Sequence, residues 1–286
     1  MNRRNLLATG LAALALSVSA LPSFAQEAIK IGLILPMTGP FTSTGKQIAA
    51  AADLYNKQKG ATVAGRKVEI IVKDDGGVAD VSKRLAQELI VNDKVTAIAG
   101  FGLTPLALAA APVATQGQTP MVIMSAATSI ITERSPFIVR TAQVVPQIAS
   151  PFGTWAYKQG LRRVVTIVTD YGPGHDVEKW FSDSFKAAGG TTENLRVPLQ
   201  NPDFSPFLQR VSEMKPDALL VFVPAGVGGT FMKQFVERGL DKSGIRLIAT
   251  GDVTDDDILN PMGDVAVGLV TAHHYSAAHP SAANKA

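Results

Sequence analysis

The alternation of two kinds of segment constrains the fold of this chain more than any other feature. Continuous runs of Val, Ile, Leu and Ala, such as Ile29–Leu35 and 218–223, alternate with amphipathic stretches along nearly the whole sequence. Unbroken apolar runs suit strands that are buried on both faces of a parallel sheet. Repeated strand–helix pairs of this kind predict an α/β, doubly wound architecture.

The segment 137–141 divides this pattern into two units. It is short and extended, lies between Pro136 and Pro146, and is predicted to be a hinge strand. We therefore expect an N-terminal lobe at 26–141, a C-terminal lobe at 142–274 and a return segment at 275–286. The predicted strands are 29–35, 67–73, 95–99, 121–124, 164–169, 194–197, 218–223, 246–249 and 267–272. The predicted helices are 46–56, 78–92, 105–116, 146–159, 174–188, 204–214 and 229–238.

Residues 1–25 are predicted to be a signal peptide. Arg3 and Arg4 provide a positive start, and the apolar stretch 6–20 is too short to span a bilayer comfortably. Ser23 and Ala25 are small residues suited to cleavage before position 26. A membrane anchor is the alternative, and twin-arginine export stays open beside ordinary secretion. We therefore expect a periplasmic protein.

Charge and cysteine content exclude several classes of function. Removal of the leader leaves 25 basic and 24 acidic residues, and no stripe of Lys and Arg indicates a nucleic-acid partner. The chain has no cysteine, so disulfides, thiol chemistry and thiolate metal sites are excluded. With 46% hydrophobic residues, the chain can bury a sizeable core without such crosslinks.

Loops that follow predicted strands combine small residues with hydroxyl groups near the start of a helix. In a parallel sheet these loops lie at the carboxyl edge, where ligands bind. Exposed backbone N–H groups at a helix start favour an anion, in particular a carboxylate. The alternative is that Thr44, Thr104 and Thr128 only cap their helices. The loops are 40–45, 100–105, 125–129 and 170–174.

Motifs for catalysis or for a bound cofactor are not found. The Gly100-Phe101-Gly102 segment fails as a dinucleotide fingerprint because Pro105 stands where a glycine is needed, and neither a phosphate loop nor a nucleophile elbow occurs. The run 255–257 is predicted to start a helix, and the adjacent 273–274 histidines are expected to point to opposite faces of a strand. We therefore predict no enzyme activity, no cofactor and no metal site.

Asp252 follows a predicted strand of the second lobe. If the lobes face each other across a cleft, this carboxylate opposes the hydroxyl-rich loops of the first lobe. Donors on one side and a carboxylate on the other suit an amino acid, or an acid with a distal hydroxyl. The alternative is a carboxylate that merely stands at a helix start.

Taken in order, these segments resemble the solute-binding proteins of branched-chain amino-acid ABC transporters, which have the type I periplasmic binding fold. The resemblance is carried by the opening IGLILPMTGPFTSTG, by 126–128, by 171–174 and by 251–252. It implies two lobes joined by a hinge, a monomer, and permease subunits in the inner membrane as partners. A ligand-presenting sensor for a receptor or kinase, and an enzyme using the same cleft, are the alternatives.

The resemblance also implies roles for the loop residues. The first lobe would hold the ligand carboxylate, Tyr171 would close over the ligand, and Asp252 would receive an amino group. The sequence is also similar to relatives for benzoate-like and hydroxycinnamate-like acids, in which Asp252 would accept a hydrogen bond from a ring hydroxyl. We favour an aromatic acid over a branched-chain amino acid. The predicted ligand-binding residues are Phe41, Thr44, Phe101, Leu103, Thr104, Ala126, Ala127, Thr128, Tyr171, Ala225 and Asp252.

Members of that family continue well beyond the point where this sequence stops. In the family, the later segment returns to the first lobe and adds helices and strands to it. We therefore expect the C-terminal part of the fold to be missing and the first lobe to be incomplete, with apolar surface exposed.

Overall fold

The computed structural model describes residues 27–276 and 278–285, so the predicted signal peptide lies outside the described residues. Two sheets form two lobes, and the strands pair in parallel except for one short antiparallel pair. The α/β architecture with two parallel-sheet lobes is thereby confirmed. No helix among the described residues has the length and apolar character needed to cross a membrane.

The first sheet has the order β2-β3-β1-β4-β5-β6 and the second the order β11-β10-β9-β7-β8. The strands are β1 (Ile29–Leu35), β2 (Thr62–Val63), β3 (Arg66–Asp74), β4 (Ala97–Gly100), β5 (Met121–Ile123), β6 (Ile138–Arg140), β7 (Arg163–Thr169), β8 (Thr191–Val197), β9 (Ala218–Phe222), β10 (Arg246–Thr250) and β11 (Val270–Ala272). In both sheets the strand order reverses beside the first strand of the lobe, which is β1 in one and β7 in the other. Such reversal points open a crevice at the carboxyl ends of the strands.

Helices connect the strands and cover the sheets. They are α1 (Thr42–Gln58), α2 (Ala79–Val91), α3 (Thr104–Gln116), α4 (Pro146–Lys158), α5 (Gly172–Ala187), α6 (Ser205–Met214), α7 (Gly228–Glu237), α8 (Asp256–Met262) and α9 (Ala282–Lys285). Short 3₁₀ turns lie at Ser129–Arg134, Leu240–Lys242, Gly251–Thr254 and Gly263–Ala266. The first helix begins at Thr42, four residues before the predicted start, because the hydroxyl-rich loop itself forms the first helical turn.

The core explains why the strands read as continuous apolar runs. All five residues of β9 are buried, and six of the seven residues of β7 are buried. Helices therefore cover both faces of these central strands, as the unbroken patterns predict. The first lobe has its own buried cluster, which includes Ile34, Leu89 and Ile98.

The segment predicted to be a hinge strand contains β6, an edge strand that pairs in parallel with β5 and so belongs to the first sheet, within the predicted lobe 26–141. The chain passes to the second lobe only after Arg140. The predicted strand at 267–272 begins at Val270, because Val267 is 81% exposed and Gly268 has a φ of 87°, which interrupts the extended backbone.

Candidate functional site

A cavity of about 70 Å³ lies between the lobes at the carboxyl ends of the strands. Both points of strand-order reversal contribute to it, through the loops after β1 and β7. Its lining residues are Phe41, Thr44, Gly102, Leu103, Thr104, Ser125, Ala126, Ala127, Gln143, Val145, Ile148, Tyr171, Pro173, Val177, Phe222, Pro224, Ala225, Thr250 and Asp252.

The structure brings together nine of the eleven residues that the sequence pointed to. They are Phe41, Thr44, Leu103, Thr104, Ala126, Ala127, Tyr171, Ala225 and Asp252. The two that do not line the cavity are Phe101 and Thr128. Their different positions have different causes.

Phe101 shapes the site from behind. Its side chain is fully buried in the core of the first lobe, beside the strands and not on the cavity wall. Its φ of 65° is left-handed, which turns the side chain away from the direction that an extended loop would give it. Its backbone N–H donates to Ile34 O at 2.9 Å, and its carbonyl accepts from Ala126 N at 3.0 Å. The residue therefore fixes the loop without facing the ligand space.

Thr128 touches the site through Thr104. The two hydroxyl oxygens lie 2.7 Å apart, both side chains are buried, and Thr104 lines the cavity. None of the three hydroxyls, those of Thr44, Thr104 and Thr128, makes the capping hydrogen bond that the alternative requires, although Thr128 stands at the cap position of its turn. The Thr104 and Thr128 hydroxyls bond each other instead, and Thr44 and Thr104 line the cavity.

Three helices begin at the cavity wall. Thr44 lies in the first turn of α1, Thr104 starts α3, and Pro173 is in the first turn of α5. The first N–H groups of a helix have no partner within the helix, and the helix dipole makes that end positive. These helix starts, two from the first lobe and one from the second, therefore favour a negatively charged group.

The second lobe lines the cavity with a carboxylate and an aromatic pair. The Tyr171 and Phe222 rings stack with centroids 6.0 Å apart and an angle of 20° between their planes. Burial raises the pKa of Tyr171 well above its usual value, and the charge of Asp252 raises it further, so the phenol keeps its proton. Burial also raises the pKa of Asp252, while nearby His273 and Thr250 lower it in part. The Thr250 hydroxyl is buried and makes no hydrogen bond of good geometry among the described residues.

Several lining residues had no signal of their own in the sequence. Phe222 and Thr250 end strands β9 and β10, so position at the carboxyl edge was the signal that could have found them. Gln143 comes from the crossover between the lobes and Ile148 from the first turn of α4, and no local pattern marks either as a lining residue. Gly102, Ser125 and Pro173 lie in the predicted ligand loops without having been singled out. The lining residues outside those loops that were missed are Gln143, Val145, Ile148, Val177, Phe222, Pro224 and Thr250.

The lobes touch closely around the cavity. A methyl group added to Gly172 would lie 2.4 Å from Thr128 Oγ1, and one added to Gly226 would lie 2.2 Å from the Pro40 carbonyl oxygen. Phe41 of the first lobe is buried in the same cluster as the β7 and β9 side chains of the second. The structure is therefore the closed form of a two-lobed cleft.

The remaining residues that the sequence singled out do not line the cavity. The Asp255 backbone precedes α8, but its side chain accepts a hydrogen bond from Ser43 and does not cap that helix. His273 and His274 follow β11, and their ring centroids lie 4.2 Å apart. The expectation that they point to opposite faces is wrong because they lie beyond the end of the strand. No cluster of three or more metal-type ligands occurs within 27–276 and 278–285.

Comparison with known proteins agrees with this geometry. The family model described as periplasmic binding protein matches residues 28–286. A solute-binding protein of an ABC transporter from Rhodopseudomonas palustris BisB5, solved in complex with 3,4-dihydroxybenzoic acid, is 62% identical, with a TM-score of 0.87 over 91% of this chain and 71% of that one. A second, from R. palustris HaA2 in complex with p-hydroxybenzoic acid, is 39% identical, with a TM-score of 0.87 over 90% and 71% of the two chains.

A further relative is a binding protein of the same class, but its name refers to other ligands. The Leu/Ile/Val-binding protein homolog 6 of Brucella abortus (strain 2308) is 40% identical over 280 residues, which are 97% of this chain and 71% of the relative. This chain therefore belongs to the periplasmic binding protein family. Within that family it is a solute-binding protein of the ABC-transporter type, and the family implies an extracytoplasmic location.

Proposed function

We propose that the cavity takes a monocyclic aromatic acid with at least one ring hydroxyl, and that the protein delivers it to an ABC permease. The observation that carries this proposal is the polarity of the cavity. The first lobe contributes donor groups at the starts of α1 and α3, the second lobe contributes the half-buried Asp252, and Phe41, Leu103 and Tyr171 provide aromatic and apolar lining.

The size of the cavity supports a small ligand. One water needs about 10–15 Å³ of a cavity measured in this way, so a cavity of about 70 Å³ holds about five waters. Five waters occupy roughly 150 Å³ in the liquid, which is the scale of a single substituted ring. A nucleotide, a peptide or a disaccharide is too large for this closed form.

The two ends of the cavity suit the two ends of a hydroxybenzoate. The carboxylate fits beside Thr104, where hydroxyl groups and the positive helix ends compensate its charge. At the far end, a ring hydroxyl donates to Asp252 and accepts from the Thr250 hydroxyl, which lies beside that carboxylate but makes no hydrogen bond of good geometry among the described residues. A buried hydroxyl without a well-formed hydrogen bond costs free energy, so a ligand that offers Thr250 such a bond is favoured.

The relatives support an aromatic acid as the ligand, and the name of one of them points to the competing class, branched-chain amino acids. Two similar proteins were solved with dihydroxybenzoic and hydroxybenzoic acids, while the Brucella relative has a name that refers to leucine, isoleucine and valine. A branched-chain amino acid would place its ammonium group at Asp252. We propose export by the predicted signal peptide, monomeric action and docking of the closed form on the permease. One alternative is presentation of the ligand to a sensor kinase. Another is catalysis, which is less favoured because the site has no nucleophile–base pair among the described residues.

Titration calorimetry of the mature protein with 3,4-dihydroxybenzoate, 4-hydroxybenzoate, benzoate, leucine and valine tests the proposal. We expect the hydroxylated acids to bind roughly tenfold more tightly than benzoate, because benzoate has no ring hydroxyl to bond Asp252 and Thr250. Asp252→Asn should remove most of that preference, whereas the exposed Asp241→Asn should not. Stronger binding of leucine than of every aromatic acid would overturn the proposal, as would no response from folded protein. Mass spectrometry of recovered ligand should show it unchanged.

A further inference from the structure

Arg140 is a cation close to the cavity that makes few hydrogen bonds for its degree of burial. It ends the edge strand β6, and its side chain is half-buried. One terminal nitrogen, Nη2, donates to the Thr128 carbonyl at 2.5 Å, but Nε is buried and has no partner among the described residues. Burial lowers the pKa of Arg140. A guanidinium that is withdrawn from water with few hydrogen bonds is costly, so its position needs a compensating role.

Thr128 connects this cation to the cavity. Its carbonyl is held by Arg140, and its hydroxyl lies 2.7 Å from that of Thr104 on the cavity wall. The next residue, Ser129, donates its backbone N–H to Asp176 Oδ2 at 2.8 Å. Since Asp176 belongs to the second lobe, two consecutive residues link the cavity wall, the buried cation and the opposite lobe.

Helix α5 provides the matching surface on the second lobe. Asp176 lies near the start of α5, and its negative charge raises the pKa of Arg140 across the cleft. The first residue of the helix, Gly172, approaches Thr128 so closely that a methyl group would lie 2.4 Å from the Thr128 hydroxyl oxygen. These contacts join elements of different lobes, so opening of the cleft separates them.

We infer that Arg140 is a positioning residue that couples capture of the ligand carboxylate to closure of the lobes, with Asp176 as its counterpart on the second lobe. Arg140 holds the Thr128 loop so that the threonine hydroxyl supports Thr104 and the Ser129 amide faces Asp176. A ligand anion beside Thr104 then orders the same loop that the second lobe grips. The identity of the ligand in this inference rests on the proposed function. The contacts that couple the two lobes do not depend on that identity.

The absence of cysteine allows a direct measurement of closure. Lys83→Cys in the first lobe and Lys242→Cys in the second are exposed positions for a donor and an acceptor dye. Energy transfer is measured with and without 3,4-dihydroxybenzoate, and with leucine if leucine is the ligand that binds. We compare Arg140→Gln, Arg140→Lys, Asp176→Asn and the double variant Arg140→Gln/Asp176→Asn. Arg134→Gln is the matched control, because this exposed arginine lies in the adjoining 3₁₀ turn.

We expect Arg140→Gln and Asp176→Asn each to raise the dissociation rate about tenfold and to lower the closed fraction even without ligand. The double variant should lose less than the product of the two effects, and Arg140→Lys should keep part of the coupling. Arg134→Gln should match the parent protein. Unchanged energy transfer and dissociation in Arg140→Gln and Asp176→Asn, or multiplicative effects in the double variant, would overturn the inference. Failure of the parent to bind an aromatic acid would instead overturn the proposed function, and the ligand-free closure measurement would still decide the coupling.

Discussion

Ser43 and Asp255 join the two lobes through a hydrogen bond of 2.8 Å from Ser43 Oγ to Asp255 Oδ2. Ser43 lies in the first turn of α1, and Asp255 stands immediately before α8. Gln47 adds donors to the same carboxylate, at 3.3 Å from Oδ1 and 3.4 Å from Oδ2. The group therefore fastens the cleft at a point away from Arg140 and Asp176.

Loss of this bond should speed ligand release. We expect Ser43→Ala to raise the dissociation rate about fivefold, since a hydrogen bond to a partly exposed carboxylate contributes about 1 kcal/mol. The association rate should change little, because the bond forms only on closure. Stopped-flow measurement with 3,4-dihydroxybenzoate checks the result. Asp257→Asn is the control, because Asp257 is an exposed carboxylate in α8, the helix that follows Asp255. An equal rise of the dissociation rate in the control would contradict the role of Ser43.

A methyl group at Gly172 should prevent full closure. The added carbon would lie 2.4 Å from Thr128 Oγ1 and 3.2 Å from Thr104 Cγ2, and these threonines are held by their mutual hydrogen bond. We expect Gly172→Ala to weaken ligand binding by about tenfold or more, with little loss in the free energy of unfolding, because alanine is favourable in a helix. Calorimetry and urea unfolding measure the two quantities.

Gly229→Ala is the matched control for Gly172→Ala. Gly229 lies in the first turn of α7, and a methyl group there would meet no atom within 4 Å. This substitution should raise stability by about 0.5–1 kcal/mol and leave ligand binding unchanged. Equal binding by Gly172→Ala and Gly229→Ala would mean that the close approach at Thr128 is not required for capture.

The sequence could predict features that depend on nearest neighbours along the chain. Continuous apolar runs such as Ala218–Phe222 predict doubly covered strands, and parallel strands bring their carboxyl-end loops to one edge. That logic selects the loops that hold Thr104 and Tyr171 and the strand end at Asp252, while the resemblance supplied the cleft that brings them together. The alternation of strands and helices is repeated over many residues. An error of a few residues in the start of one helix therefore does not change the predicted architecture.

Features that depend on distant pairs could not be predicted. Ser43 and Asp255 are 212 positions apart, and nothing near either residue marks the other. Phe101 shows a second limit: a loop aromatic beside glycines suggests a ligand wall, but a left-handed backbone turns it into the core. The expected absence of the C-terminal part of the fold stays a prediction.

The burial of Phe101 separates stability from binding. We expect Phe101→Leu to lower the free energy of unfolding by about 1–2 kcal/mol, because a fully buried ring loses volume. Affinity should change less than twofold in the folded protein. Leu103→Ala, two residues along, is the comparison: it should also lower stability, but it lines the cavity and should weaken binding about tenfold. A larger affinity loss in Phe101→Leu than in Leu103→Ala would return Phe101 to the ligand wall.

The raised pKa of Asp252 should make the ligand-free protein less stable as pH rises. Because burial raises the pKa in the folded state above the usual value of about 3.9, the folded state binds the Asp252 proton more tightly than the unfolded chain. This contribution is full below the unfolded pKa and is lost as pH rises through the folded pKa. Asp252→Asn cannot ionise, so its advantage over the parent in urea unfolding should grow from pH 4 to pH 7. Buried Asp75 titrates in both proteins and cancels. The exposed Asp241→Asn should show no such growth, and a constant difference for Asp252→Asn would contradict the raised pKa.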